Sequence, residues 1–331
     1  MITTRPYRSA DKPAFYEMLA EVWPDETDAQ HDRRWWWQRD ESPLWLAVDD
    51  EGTVAGMCGH MPFTARADGL TRRGAWIVDF FVRASFQGQG IGKRLVRAIE
   101  QHYDFLASLN QTDAAYATFS RSGWTQRKSI PLLIAASPGV YRAAAWLRLS
   151  RGITLESGPA VFDASFDALW ARAGASVVAS LRTQAVLRER FGRTDRDYTM
   201  VRAVRDGELA GYFVLRVLPP GSIRSFARFP IMFVSDYLTD PADAGVFRAL
   251  MTATAREAAA RGMRFIVCMT NHEAHRSALT SGGFLWHETP WLGTRLNKLS
   301  VGFTMTPSAP EGRWHLTPFD CDLDILFGAK V

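Results

Sequence analysis

Hydrophobic positions recur with two periods along the chain, and the switch between them outlines the elements. Residues 1–10 read as an opening strand. Phe15, Met18, Leu19 and Val22 follow at helical spacing, with Asp11 placed to cap the helix and Pro24 to stop it. Trp45 to Val48 alternates as a strand, Asp50-Glu51-Gly52 turns, and Val54 to Met61 returns, which predicts a hairpin. Trp76 to Val82 is an apolar run of strand length. A glycine-rich turn leads from it into a helix reaching about His102. Asp104 to Leu109 is a further strand. Asn110 or Thr112 is placed to cap a helix that ends near Ser122, with Gly123 as its stop. Residues 126–160 lose this rhythm and read as a closing strand plus a connector.

The order then returns. Ala179 to Phe191 predicts a helix, and Tyr198 to Val204 and Leu209 to Val217 a hairpin about Asp206-Gly207. Phe229 to Leu238 is a strand. Asp240 with Pro241 opens a helix that Gly262 ends near Arg261. Phe265 to Met269 is a strand, and Asn271 is placed to cap a short helix stopping at Gly282-Gly283. Three segments align in order between the halves: AVDDEGTVAGM (47–57) with AVRDGELAGY (203–212), VDFFV (78–82) with SDYLT (235–239), and ASLNQTDAAYATFSRSGW (107–124) with VCMTNHEAHRSALTSGGF (267–284). They predict an internal duplication. The domains expected are 1–135, a connector over 136–165, and 166–331.

Composition narrows the class. The 331 residues allow about two domains. At 47% hydrophobic and 22% charged, the chain is globular and not disordered or fibrous. The net charge is +4, and 34 of the 39 basic residues are arginine, yet no basic run or stacking motif points to nucleic acid. Cys58, Cys268 and Cys321 are scattered, which suits a reducing cytoplasm and gives no zinc or disulfide framework. No secretory h-region or membrane-length apolar run is visible.

The chemistry concentrates at residues 78–93. A buried strand, Val78 to Val82, leads into a turn with Gly88, Gly90 and Gly92, and then into a helix. Glycines let successive N–H groups converge, and the helix end adds its free donors and positive dipole, which makes an anion cradle suited to a pyrophosphate. Lys93 and Arg94 add charge. Lys93 is followed by Arg94 and not by Ser or Thr, so this is no Walker A loop, and the G-x-G-x-G spacing is not a dinucleotide fingerprint.

The spacing Gln87-x-x-Gly90-x-Gly92 after a strand ending at Val82 resembles the acyl-CoA pyrophosphate loop of the GNAT superfamily of N-acyltransferases. VDFFVRASFQGQGIG looks close to the loop of the polyamine acetyltransferases. The resemblance covers residues 3–125, with Asn110 to Trp124 similar to the second cofactor motif. It implies a mixed α/β (α+β) fold with two GNAT-like domains, each a twisted, mostly antiparallel sheet with a V-shaped splay, flanked by helices. It implies acetyl-CoA or another acyl-CoA as co-substrate, with no metal. Phe81, Val82, Gln87, Gly88, Gln89, Gly90, Ile91, Gly92, Lys93, Asn110 and Phe119 would hold it. The acceptor implied is a small-molecule primary amine, such as an aminosugar nucleotide, attacking the thioester directly in a ternary complex.

Asp79 is the candidate base or amine-orienting group, since a carboxylate among apolar neighbours needs a role or a partner. An arginine-paired structural Asp is its alternative. Val78 stands where the polyamine enzymes carry a Glu, which puts a polyamine acceptor in doubt. Phe119 stands where the family often has a Tyr acid. Thiolate protonation then falls to Tyr116, to water, or to no dedicated group.

The second half lacks the glycine series, and Asp240 would repel a phosphate, so this half is expected to bind no CoA. The tail from Trp314 to Asp324 resembles that of tandem GNAT-like proteins. Trp36, Asp236, Asp320 and Asp322 are the acceptor-site candidates, and Arg182, Arg188 and Arg190 are alternatives for an acidic acceptor. His272, Glu273 and His275 have metal-like spacing but no third ligand. A catalytically silent acyl-CoA sensor, or an enzyme acting on a protein or tRNA, are the other function classes. No nucleic acid or membrane partner is expected, a homodimer is compatible, and the expected compartment is the cytoplasm.

Overall fold

The computed structural model describes residues 1–24, 44–135, 152–192, 197–220, 228–285 and 300–321. Trp36 and Asp322 lie outside the described residues. The chain forms two units. The first comprises 1–64, 72–128 and 302–309, and the second 65–71, 129–301 and 310–331.

The first unit contains β1 (Ile2–Pro6), α1 (Lys12–Val22), β2 (Leu44–Asp49), β3 (Val54–Ala67), β4 (Leu70–Val82), α2 (Ile91–Glu100), β5 (Phe105–Leu109) and α3 (Asp113–Arg121). Its sheet runs β1-β2-β3-β4-β5 and ends on β13 (Ser300–Met305). Side-chain alternation gives each face its own helix. Leu44, Leu46 and Val48 of β2 pack with Phe15, Met18 and Leu19 of α1. Ala47, Ala75, Ile77 and Leu106 pack instead with Ile91, Leu95, Val96 and Ile99 of α2. Each fully buried Leu or Ile here contributes about 1.5–3 kcal/mol. Thr112 caps α3 by accepting from the Ala115 N–H, one of the two candidates at that position.

In the second unit the order is β6 (Lys128–Ala135), β7 (Ile153–Pro159), α4 (Ser165–Ala173), β8 (Ala179–Ser180), α5 (Gln184–Phe191), β9 (Tyr198–Arg205), β10 (Glu208–Leu218), β11 (Ile231–Thr239), α6 (Ala244–Ala260), β12 (Phe265–Met269) and α7 (Glu273–Ser281). The sheet runs β7-β9-β10-β11-β12-β6. Alternation again splits two cores: α6 covers Val201, Phe213, Leu215 and Val234, while α4 and α5 cover Met200, Tyr212, Val214 and Leu238.

Several expected boundaries move. The strand expected to close the first unit, β6, pairs antiparallel with β12 of the second, from Ala135↔Ile266 to Leu132↔Met269. The place beside β5 is taken by β13, through Phe303↔Leu109 to Met305↔Ala107. The two copies have therefore exchanged their sixth strands, so the first unit draws on residues near the end of the described chain. The connector holds β7, paired with β9. The helix expected from Ala179 starts only at Gln184. Asp243 and not Asp240 caps α6, and His272 and not Asn271 precedes α7. Among the described residues, no helix is long and apolar enough to cross a membrane.

Candidate functional site

β4 and β5 run parallel from Gly74↔Phe105 to Ile77↔Ser108. β4 then continues to Val82 while β5 stops at Leu109, so beyond Ile77 the two strands no longer pair, and this unpaired end is the wedge. Asp79 sits where it opens, with φ +46. A non-glycine residue there costs about 1–2 kcal/mol, and such strain persists only where the surroundings enforce it. Asp79, Phe80, Phe81 and Val82 are all half-buried. The Asp79 charge reaches Cys58, whose thiol burial pushes far up and Asp79 pushes further.

The end of β4 is pinned on both sides. The Arg83 N–H donates to the Ala55 carbonyl at 3.0 Å. The buried Arg83 guanidinium lies 3.3 Å from Glu21 and 3.7 Å from Glu17 on α1. Gln87 Nε2 donates to the Val82 carbonyl at 3.1 Å, so this side chain braces the loop. Gly88 and Gly90 have φ +79 and +74, and a Cβ on either would meet nothing within 4 Å. Gly90 is the N-cap of α2 and offers no side-chain cap, which leaves the first-turn N–H groups open to an anion. Gln87, Gly88, Gln89, Gly90 and Lys93 are exposed, while Ile91 is buried in the α2 core and anchors the helix. Ile91 and Gly92 thus have only backbone to offer a ligand; a Cβ on Gly92 would lie 2.8 Å from Phe80 Cζ.

On the other arm, Asn110 is exposed with φ +57, and its N–H donates to the Gly302 carbonyl at 2.8 Å. Phe119, expected to touch the cofactor, is a core residue. It is 1% exposed and stacks on Trp124 at 4.5 Å with Phe80 at 5.4 Å. The Tyr116 hydroxyl accepts from the Arg127 N–H at 3.2 Å, and the Arg127 guanidinium lies 4.3 Å from its ring centroid.

The acceptor candidates of the second half have a different role. Asp236 and Asp320 are fully buried and share Arg182, at 3.0 and 2.8 Å. Asp236 also accepts from Tyr212 and Thr317, both at 2.7 Å. Burial pushes the Asp236 carboxyl up and Arg182 opposes it, whereas for Arg182 the two carboxylates outweigh burial and hold it protonated. These groups form a closed core network, not an acceptor site. The exposed Arg188 donates to the Phe162 carbonyl, and the buried Arg190 to the Cys321 carbonyl.

His272 and His275 are also buried, beside His315. His272 Nε2 lies 3.0 Å from His315 Nδ1, and His275 Nε2 lies 3.1 Å from Thr239 Oγ1. No cluster among the described residues has the makings of a metal site. Burial, reinforced by neighbouring positive charge, lowers His272 to about 4, and burial lowers His275 to about 3. An unfolded histidine, titrating near 6.5, takes up a proton that the folded one refuses. Stability is therefore full above about pH 6.5 and falls as pH drops toward 4, by up to about 1.4 kcal/mol per pH unit for each histidine. Melting curves between about pH 6.5 and 5, where ordinary carboxylates stay ionised, should show this fall; a flat midpoint there would contradict it.

A parallel strand pair that opens onto a glycine-led helix, set in a fold that occurs twice, defines the class: a tandem acyltransferase fold. The model of the acetyltransferase (GNAT) family matches residues 8–119, within the stretch that holds the glycine-led helix. No match was found among curated proteins. Among solved structures, a GCN5-related N-acetyltransferase from Anabaena variabilis is similar at 12% identity and TM-score 0.66, over 93% of this chain and 73% of that one. A tandem GNAT protein from the clavulanic acid biosynthesis pathway is similar at 13% identity and TM-score 0.53, over 94% and 100%. Saccharomyces cerevisiae N-myristoyltransferase with bound myristoyl-CoA is similar at 9% identity and TM-score 0.53, over 92% and 82%. At these identities the likeness is one of fold.

Proposed function

We propose that the first unit takes an acyl-CoA, acetyl-CoA foremost, and transfers its acyl group to a primary amine of a small molecule, with an aminosugar nucleotide as one candidate class. The observation that carries this is the uncapped α2 N-terminus, opened by two left-handed glycines directly beyond the diverging end of β4. The empty space at Gly88 and Gly90 fits a ligand that approaches the backbone closely. In this reading the N–H groups from Gln87 to Lys93 hold the pyrophosphate, and the free edge of β4 at Phe81 and Val82 holds the pantetheine. The amine nitrogen attacks the thioester carbonyl carbon, the C–S bond breaks, and CoA leaves as its thiolate. Asp79 orients the amine and takes its proton, and that proton or one from water restores the thiol.

A thiol-release screen against several acyl-CoAs and an amine library tests the activity. Asp79→Asn is expected to lower kcat by about 10²- to 10⁴-fold while acyl-CoA binding stays intact. Unchanged kcat across the pH range would remove Asp79 from the mechanism. The engagement of the Tyr116 hydroxyl by Arg127 favours one other reading, a silent acyl-CoA-binding protein. Binding without thiol release across the whole library would decide for it.

A further inference from the structure

We infer that the second unit is a ligand fold occupied by its own chain: the segment Trp314–Thr317 fills the wedge between the diverging arms of β11 and β12, and the Asp243 carboxylate fills the anion position at the start of α6. The inference rests on the reading of the first unit's wedge and loop as an acyl-CoA site.

The second unit keeps the wedge. β11 and β12 run parallel from Ile231↔Phe265 to Val234↔Cys268, and the register stops there. β11 then slips by one residue against β10, between Leu215↔Val234 and Val214↔Asp236, one position from where Asp79 breaks β4 in the aligned segments. The arms also match at β12: the Thr270 N–H bonds to β6 at the Pro131 carbonyl, as the Asn110 N–H bonds to β13.

The tail bonds to both arms. On the β11 arm, His315 Nε2 lies 2.8 Å from the Tyr237 carbonyl, an acceptor that a paired strand would otherwise use. The Thr317 hydroxyl donates to Asp236, the counterpart of Asp79. Two residues past the end of β12, Asn271 clasps the tail backbone: its Nδ2 donates to the Trp314 carbonyl, and its Oδ1 accepts from the Leu316 N–H at 3.3 Å. Trp314, His315, Leu316 and Thr317 are all buried. An extended peptide held by amide and carbonyl partners is the chemical equivalent of a pantetheine arm.

The anion position is also taken. Where α2 begins at a bare glycine, α6 begins at Asp243, whose Oδ1 accepts from the Gly245 and Val246 N–H groups, both at 3.1 Å. Arg205 neutralises that carboxylate from outside at 2.5 Å. A carboxylate on a helix N-terminus satisfies the donors that a phosphate would use. Both halves of the ligand thus have stand-ins built from the chain, and the protein takes one acyl-CoA, in the first unit.

Hydrogen exchange on the full chain, with and without coenzyme A, tests this. Peptides over 312–321 should be as protected as those of β11. Coenzyme A should protect 85–95 and leave 231–245, 265–273 and 312–321 unchanged, with one coenzyme A bound per chain. Exchange of 312–321 at the rate of an unstructured segment, a response to coenzyme A in the second unit, or two bound per chain would overturn the inference. Asn271→Ala and Thr317→Val should each speed exchange over 312–321 at least about tenfold while α6 stays protected. An unchanged rate in both variants would count against the clasp. A silent 85–95 region would refute the first-unit reading instead, and the protection of the tail would still be read independently.

Discussion

Gly90→Glu is expected to weaken acyl-CoA binding at least about a hundredfold, equivalent to about 3 kcal/mol. Two effects act together. Gly90 holds φ +74, where a side chain costs about 1–2 kcal/mol, so the loop would tend to flatten and turn its N–H groups away. The new carboxylate would also lie at the α2 N-terminus, where it takes the donors offered to the pyrophosphate and repels its charge. Because a Cβ at Gly90 meets nothing within 4 Å, the fold should survive. The expected result by calorimetry is lost binding of acetyl-CoA with a melting temperature within a few degrees of the parent. Binding at the parental affinity would refute the cradle.

Arg182→Met is expected to destabilise the protein by about 3–5 kcal/mol, the cost of stranding buried charge. Arg182 has no exposed surface, and its donors reach Asp236, Asp320, the Thr317 hydroxyl and the Ser180 carbonyl. Its guanidinium also lies 4.9 Å from the Phe319 ring centroid. Removing it leaves two carboxylates buried together, with only neutral donors such as Tyr212 and Thr317 to hold them. A lower urea midpoint measures the loss, and adding Asp236→Asn to the variant should recover part of it, because one stranded charge is then neutral. A midpoint within about 0.5 kcal/mol of the parent would show that the network carries little.

Much of the fold was legible in the chain because it follows from local pattern. The alternation from Trp45 to Val48 already marked the second strand, and helical spacing drew α1. The left-handed turn ahead of α2 was legible for a similar reason: Gly88 and Gly90 mark locally where the backbone takes positive φ. The acceptor side was not. Asp236 aligns with Asp79 and so looks like a working carboxylate, but its partner Arg182 is 54 positions away, in the loop between β8 and α5. His272 and His275 show metal-like spacing, while burial against Phe247, Tyr237 and His315 makes them neutral packing groups. Phe119 occupies a motif position that can face a ligand, and here it stacks on Trp124 in the core.

By itself the sequence determined most of the hairpins and helices and the glycine-rich turn ahead of α2, since each depends on residues within a turn or two of one another, whereas β7, α4, β8 and β13 were not marked by local pattern. Only the tertiary structure decided which copy each sixth strand completes. β6 and β13 are both short runs rich in apolar residues, and either could pair antiparallel with β5 or β12. Tertiary structure alone also showed that the tail from Trp314 to Thr317 bonds to Tyr237, Asp236 and Asn271. Those choices rest on pairings between residues tens to nearly two hundred positions apart, such as Phe303 with Leu109 and His315 with Tyr237. Local propensity carries no information about such partners.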